Sequence, residues 1–243
     1  MGRNRRRFLK FNIPMFLNVI IGVYLYLSFA FFEGDMLVPC ILSFFTTWSL
    51  YMASLSHPGP VHQWAVDDDV LCKHCGLSRP PRAHHCRRCD ECIDRYDHHC
   101  DWIDNCVGRR NYKAFVLFLV YINACILHYY YQLGMLMNSV TCLKCPKHQF
   151  HVDRSLIVHG SLVFMYTFTV IPCWILALIF LFKTIFNALR NVTTYEEHVR
   201  TAGMHSKGWR GNLVEVFGRN AALWWIPTMV DDQLIISRAG GIV

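Results

Sequence analysis

The apolar residues of this 243-residue chain are gathered into blocks, and that restricts its backbone more than any other feature. Four blocks, roughly Ile13–Phe32, Met36–Leu55, Ala114–Met137 and Ser161–Phe186, reach the ~20 residues that a helix needs to cross a bilayer. Without water at hand, every backbone N–H and C=O in such a block must pair inside the protein, so each is predicted to be a helix. A hydrophobic content of 53% is too high for an ordinary soluble domain of this size. Pro39 and Pro172 fall within the second and fourth blocks, which membrane helices tolerate when neighbours re-satisfy the backbone. Asn18, Asn123, His128 and Gln132 lie inside apolar blocks, so some helix faces are expected to line a bundle or cavity rather than lipid.

Basic residues set an orientation. Arg3, Arg5, Arg6, Arg7 and Lys10 precede the first block, whereas Glu33-Gly34-Asp35 after it has no cation. The connection from Asn138 to Gly160 carries only Lys144, Lys147 and Arg154; the other basic residues fall in the Ser56–Lys113 insert or after Phe182. An excess of Lys and Arg marks cytosolic segments, so both termini and the insert are predicted to be cytosolic. The first block is too long for a usual signal peptide and lacks a small-residue cleavage site, so it reads as an uncleaved anchor. Arg6 stands where N-myristoylation would require Ser or Thr. The expected fold is an all-α membrane protein with four transmembrane helices and a small cytosolic zinc-binding, cysteine-rich domain between helices two and three. Its divisions are residues 1–55, 56–113, 114–186 and 187–243. The short lumenal connections fit the endoplasmic reticulum or Golgi.

Within the insert the spacing repeats itself. Cys72, Cys75, His85 and Cys92 form C-x2-C-x9-H-x6-C, and Cys86, Cys89, His99 and Cys106 repeat it fourteen residues later. A structural zinc takes four thiolate or imidazole ligands in a closed tetrahedron. Cytosolic thiols stay reduced, which favours two zinc ions over disulfides. Metal binding would supply folding energy that so short an insert cannot draw from a hydrophobic core. His74, His84 and His98 are alternative imidazoles that spacing alone leaves open.

One cysteine is left over. Cys100 holds the first-ligand place of a third repeat, but its C-x2-C partner position is Ile103. As a ligand Cys100 would displace another cysteine and break the duplicated spacing. As a nucleophile it must be a thiolate, which a neighbouring imidazole favours. His98 can take its proton and Asp97 can orient His98, the general arrangement of nucleophile, base and orienter. The zinc ions, fully coordinated, would have no open position for substrate.

Asp97-His98-His99-Cys100 in this frame, between the second and third of four spans, resembles the DHHC family of protein S-acyltransferases. The likeness extends through Arg79-Pro80-Pro81-Arg82-Ala83-His84-His85-Cys86, Asn105-Cys106-Val107-Gly108 and Asn111-Tyr112-Lys113-Ala114-Phe115. Thr193-Thr194-Tyr195-Glu196 resembles the family's TTxE element, and Asn212 the asparagine of its C-terminal motif. The resemblance implies a two-step reaction. Cys100 takes a long-chain acyl group, such as palmitoyl, from acyl-CoA and passes it to a cysteine on the cytosolic side of a membrane-associated substrate protein. It implies that His98 is the base, that Trp102 lies beside the acyl carbonyl, and that the fatty chain occupies a cavity among the helices. Arg79, Arg82 and His84 are by family position the candidates for the CoA phosphates; attraction of the basic insert to anionic lipid is the other reading. Two residues depart from the family pattern. His57-Pro58-Gly59 replaces Asp-Pro-Gly, and Asp101 replaces the usual proline, where a carboxylate disfavours the Cys100 thiolate unless a cation offsets it.

Lesser features have two readings each. Thr193-x-x-Glu196 is also a capping box, and Asn212 is either a cap or a brace for the bundle. Cys125 lies at the acyl chain's far end or is a buried packing residue; Cys40 and Cys173 read as packing residues. Cys142, Cys145, His148 and His151 form a disulfide or free thiols in preference to a third metal site. Asn191-Val192-Thr193 is a glycosylation sequon that a cytosolic placement leaves unmodified. A catalytically silent zinc scaffold is the competing function, separated by its indifference to Cys100. Zinc-knuckle recognition of nucleic acid is disfavoured by the membrane spans.

Overall fold

The computed structural model describes residues 13–31, 36–59, 61, 70–141, 154–200 and 205–229. The N-terminal basic residues, Glu33-Gly34-Asp35 and the Cys142–His151 cluster lie outside the described residues. Four long helices dominate: α1 (Ile13–Phe31), α2 (Leu37–Leu55), α3 (Tyr112–Thr141) and α4 (Arg154–Arg190). Among the described residues, three segments are long and apolar enough to cross a membrane, namely Leu37–Leu55, Tyr112–Asn138 and Gly160–Arg190; the apolar part of α1, Pro14–Ala30, is shorter.

Burial distinguishes their roles. The α3 segment is mostly buried, whereas little of α4 is. Phe164, Met165, Phe168, Ile175, Ile179, Phe182 and Phe186 all stand out from α4. A stripe of that length is far larger than soluble surfaces leave open, and lipid is the solvent it suits. Proline costs little at Pro39, in the first turn of α2, where the missing N–H would have no helical partner; Pro172 sits inside α4.

Two of the polar residues inside the apolar blocks, His128 and Gln132, pair across the bundle, whereas Asn123 bonds within its own helix. Tyr24 on α1 meets His128 on α3 at 2.9 Å, and Ser28 donates to Gln132 at 2.9 Å. Asn123 donates back to Leu119 at 2.7 Å.

The insert corrects the all-α expectation. It folds into three two-stranded antiparallel hairpins: β1–β2 (Val70–Leu71, Ser78–Arg79), β3–β4 (His84–Cys86, Glu91–Ile93) and β5–β6 (His98–Cys100, Asn105–Val107). The second and third share one register, with His85 opposite Cys92 and His99 opposite Cys106. Both C-x2-C turns, and the Cys100–Ile103 turn that copies them, are followed by a residue in the left-handed region: Gly76 (φ 71°), Asp90 (φ 58°) and Asp104 (φ 47°). Asp tolerates that conformation better than most residues, through its short polar side chain. The same turn thus occurs three times at fourteen-residue intervals, the third time with Ile103 in place of a ligand.

Two asparagines fasten the insert under the helices. The Asn105 amide donates to the carbonyls of Ala53, Ser54 and Ser56 at 3.1, 3.1 and 2.8 Å. Asn111 donates to Ala53 and Cys106 at 3.0 and 2.8 Å and accepts from Gly108 N–H at 2.9 Å. These bonds satisfy the carbonyls that the end of a helix leaves open. Gly108 allows the close approach: a Cβ there would lie 2.5 Å from Ile93 Cγ2 and 2.6 Å from the Pro58 carbonyl.

After α4, the short α5 (Thr194–His198) and α6 (Gly208–Phe217) turn back onto the insert. Thr193 and Glu196 form the complete capping box. Asn212, fully buried, donates to Leu189 O at the end of α4 (2.7 Å) and accepts from Lys207 N–H (2.8 Å), so it braces α6 against α4.

Candidate active site

The cross-strand pairing explains how the two ligand sets arise. Cys72 and Cys75, flanking the β1–β2 turn, meet the His85/Cys92 pair of the next hairpin; Cys86 and Cys89 meet the His99/Cys106 pair of the one after. Within each set the four ligand atoms lie within 4.8 Å of one another. In the second, His99 Nδ1 is 3.7, 3.5 and 3.5 Å from the sulfurs of Cys86, Cys89 and Cys106. In the first, Cys92 Sγ is 3.8 Å from His85 Nδ1 and 3.5 Å from Cys75 Sγ. A tetrahedron with metal–sulfur bonds of about 2.3 Å has edges of about 3.8 Å. Both sets therefore fit a metal ion of that geometry, and their three thiols and one imidazole are the donors of a structural zinc site. His74, His84 and His98 belong to neither set. His74 stacks on the His85 ring at 5.0 Å.

Cys100 is also outside both sets. It ends β5, is 6% exposed, and opens into a cavity of about 270 Å³. Three helices wall this cavity: α1 with Leu17 and Ile20, α3 with Phe115, Phe118, Leu119, Ile122 and Ile126, and α4 with Val170, Cys173, Leu176, Ala177 and Phe180. His98, His99, Asp101 and Trp102 complete it at the Cys100 end. Beyond that end the lining is almost entirely aliphatic and aromatic, so it suits a hydrocarbon chain and repels a charged ligand. Cys125 does not line it. Its thiol turns the other way, to Thr46 Oγ1 on α2 at 3.3 Å, and the cysteine on the cavity wall is Cys173.

His98 Nδ1 is 2.7 Å from Asp97 Oδ2, and Asp97 Oδ1 accepts from Thr194 N–H at 2.9 Å. Burial alone would push the Asp97 carboxyl up, but the His98 ring and the Thr194 N–H hold it below the ordinary carboxylate range. Burial pushes His98 down; the bonds to Asp97 and Cys100 more than reverse this, and the imidazole is raised to about 9. Phe115 packs edge-on against the ring at 5.5 Å and fixes its plane. The TTxE element thus reaches the site through a backbone amide on Asp97, a contact that its capping-box pattern does not reveal.

The structure redirects one candidate anion ligand. Arg82 is not open to a phosphate: its Nε and Nη2 bind both oxygens of Glu196 at 2.6 and 2.9 Å, and Nη1 and Nη2 bind Asn191 Oδ1 and O at 3.0 Å each. Arg79 and His84 do come together, Nη1 to Nδ1 at 2.9 Å. Burial first, then the Arg79 charge, lowers His84 to about 4, and its ring lies 3.9 Å from that of Tyr195. Asn191 is 1% exposed and its amide nitrogen donates to His205 O and Glu215, so the sequon is closed to glycosylation in the folded chain.

The two departures from the family pattern have partners. Asp101 pairs with Arg88, which supplies the offsetting cation, and its carboxylate lies 4.0 Å from His99 Nε2. His57 Nε2 meets Glu91 Oε1 at 2.5 Å.

A family model for the DHHC palmitoyltransferase domain matches residues 65–201, more than half of the sequence. The chain belongs to the DHHC palmitoyltransferase family. Among curated relatives, "Probable protein S-acyltransferase 16" of Arabidopsis thaliana is 35% identical over 73% of this chain and 65% of its own length. "Palmitoyltransferase ZDHHC20" of Mus musculus is 31% identical over 64% and 44%, and "Palmitoyltransferase ZDHHC15" of Xenopus laevis 34% over 65% and 46%. The chain therefore spans less than two thirds of the length of each. The matched region of this DHHC-family member carries both ligand sets, the Asp97–Cys100 string and the TTxE element.

Proposed function

We propose that this chain is a protein S-acyltransferase that carries a long-chain acyl group, such as palmitoyl, on Cys100 between acyl-CoA and a cysteine of a membrane-associated protein. The carrying observation is the placement of that sulfur. It lies outside both metal sets, contacts the Asp97–His98 pair, and opens into an apolar cavity between helices.

At the start of the first step the Cys100 proton is held on His98, whose charged imidazole Asp97 fixes and stabilises at neutral pH. The thiolate attacks the acyl-CoA carbonyl carbon; a carbon–sulfur bond to Cys100 forms, the bond to CoA breaks, and the CoA sulfur leaves with the proton returned by His98. In the second step a substrate cysteine gives its proton to His98 and attacks the acyl-cysteine, and the proton returns to Cys100. Each step exchanges one thioester for another, so no nucleotide hydrolysis is required. The acyl chain lies in the cavity, with Trp102 beside its carbonyl end. Arg79 and His84 face the CoA phosphates. The two Cys3His sets would hold zinc, which would tie the hairpins together and so fix His98 and Cys100 on either side of the ligand His99.

In the same proposal α1 is a fourth span, the insert and both termini are cytosolic, and the membrane is that of the endoplasmic reticulum or Golgi. The four divisions at residues 55, 113 and 186 separate paired helices, insert, paired helices and C-terminal segment.

The test is incubation of the purified full chain with radiolabelled palmitoyl-CoA. A hydroxylamine-labile label on the chain, lost in Cys100→Ser while two zinc per chain remain, supports the proposal. A label that persists in Cys100→Ser, or none in the unaltered chain, leaves a membrane-bound zinc protein without this activity.

A further inference from the structure

The segment after α6 has a feature that the acyl-transfer reading does not use. Leu223, Trp225 and Met229, within seven residues, are 40%, 66% and 44% exposed, whereas polar and charged groups beneath them hold the backbone in place. Lys113, only 2% exposed, donates its ammonium to Leu223 O at 2.8 Å and to Thr228 Oγ1 at 2.9 Å. The Tyr121 hydroxyl donates to Trp225 O. Trp224 closes the turn, with its indole N–H on Gly218 O at 2.9 Å and its ring stacked on Phe217.

Those anchors fix the depth of the segment. Lys113 and Tyr121 both belong to the Tyr112–Asn138 membrane-crossing stretch. Tyr121 is nine residues into it, about 14 Å along the helix axis, and its side chain leans back toward the helix start. A 27-residue stretch is about 40 Å long and overhangs a hydrocarbon layer of about 30 Å by roughly 5 Å at each end. The Tyr121 backbone then lies about 9 Å inside that layer, and its hydroxyl, reaching back toward the helix start, brings Trp225 nearer the headgroup boundary, the level at which tryptophan concentrates in membrane proteins. The surface beside it continues into the lipid-facing side of α2, where Phe45 stacks on Tyr121 at 5.2 Å and Phe44 and Tyr51 are exposed. Between residues 207 and 229, Lys207 pairs with Glu215 at 2.7 Å and leaves Arg210 and Arg219 as the cations that favour anionic headgroups.

We propose that residues 221–229 form a strap that lies in the bilayer's headgroup boundary, with Trp225 as its lipid anchor and Lys113 and Tyr121 as its pins. It rests on α3 spanning the membrane and not on acyl transfer. The test uses the full chain, labelled with 5-fluorotryptophan, in phosphatidylcholine/phosphatidylserine nanodiscs. Trp225→Phe identifies the Trp225 resonance among those of the seven tryptophans and keeps an aromatic ring at that position. The expected result is loss of the Trp225 resonance when headgroup-proximal doxyl lipid is included, and its survival in an aqueous gadolinium chelate. Quenching by gadolinium but not by doxyl lipid overturns the proposal, because the strap then lies in water. Protection from both overturns it too, because protein then covers Trp225. Either result leaves the labelling of Cys100 unaffected, so the two proposals fail separately.

Discussion

Glu196→Gln tests what couples the C-terminal segment to the insert. The substitution keeps the side chain's shape and removes its charge. Glu196 meets Arg82 through both carboxylate oxygens at 2.6 and 2.9 Å, with side-chain exposures of 6% and 10%, and accepts from Thr193 N–H at 2.8 Å. Removing one partner of a buried pair costs about 3–5 kcal/mol, because the other charge stays buried without compensation. Asn191 and the more distant Glu215 carboxylate still face Arg82, which argues for the lower end. For a chain of this size about 3 kcal/mol lowers the unfolding midpoint by roughly 6–12 °C. Burial raises the Glu196 carboxyl, but Arg82 and the Thr193 N–H outweigh it and the net direction is down. A depressed carboxylate contributes stability above its unfolded value of about 4.3 and loses it as pH falls through the folded value. The gap between the unaltered chain and Glu196→Gln should thus be full at pH 7 and narrow below about pH 4. The assay is thermal unfolding of zinc-loaded protein in detergent, across pH, with Arg82→Met and the Arg82→Met/Glu196→Leu pair. Apolar replacement of both partners should recover most of the loss. A gap under about 1 kcal/mol at neutral pH, or additive losses in the pair, would refute the coupling.

Asp97→Asn should leave two metal ions bound but slow acyl loading by about 10²-fold or more, measured by single-turnover labelling, because the imidazole loses its orienting carboxylate. Gly108→Ala should cost about 1–3 kcal/mol in the same unfolding assay, since the added Cβ would collide with Ile93 and the Pro58 carbonyl. Chelation of the metals should open residues 70–107 to proteolysis while α3 and α4 stay helical by circular dichroism, because hairpins of two or three residues have little core of their own.

Spacing alone made both ligand sets legible, because metal geometry tolerates few arrangements of three thiols and an imidazole. Three long apolar helices were legible from block length for a similar reason: nothing else satisfies a backbone in lipid. The hairpins were not, since strands of two or three residues are too short to show an alternating pattern. Which cysteine reaches the cavity was not legible either. Cys125 and Cys173 both sit in apolar helices, and a helix's rotation about its axis is set by packing, which turned the first toward Thr46 and the second into the cavity. Arg82 is a phosphate candidate by family position, and sequence does not reveal that it is buried against Asn191 and Glu196, more than a hundred residues away.

The hairpin series has its own arithmetic. Advancing the ligand pattern by one more period after Cys100 would call for a second thiol at Ile103, an imidazole at Lys113 and a last thiol at Val120. By then the chain has already entered α3, so no further hairpin can form. In this array the unspent sulfur, Cys100, belongs to the last rung, the one that abuts the helices.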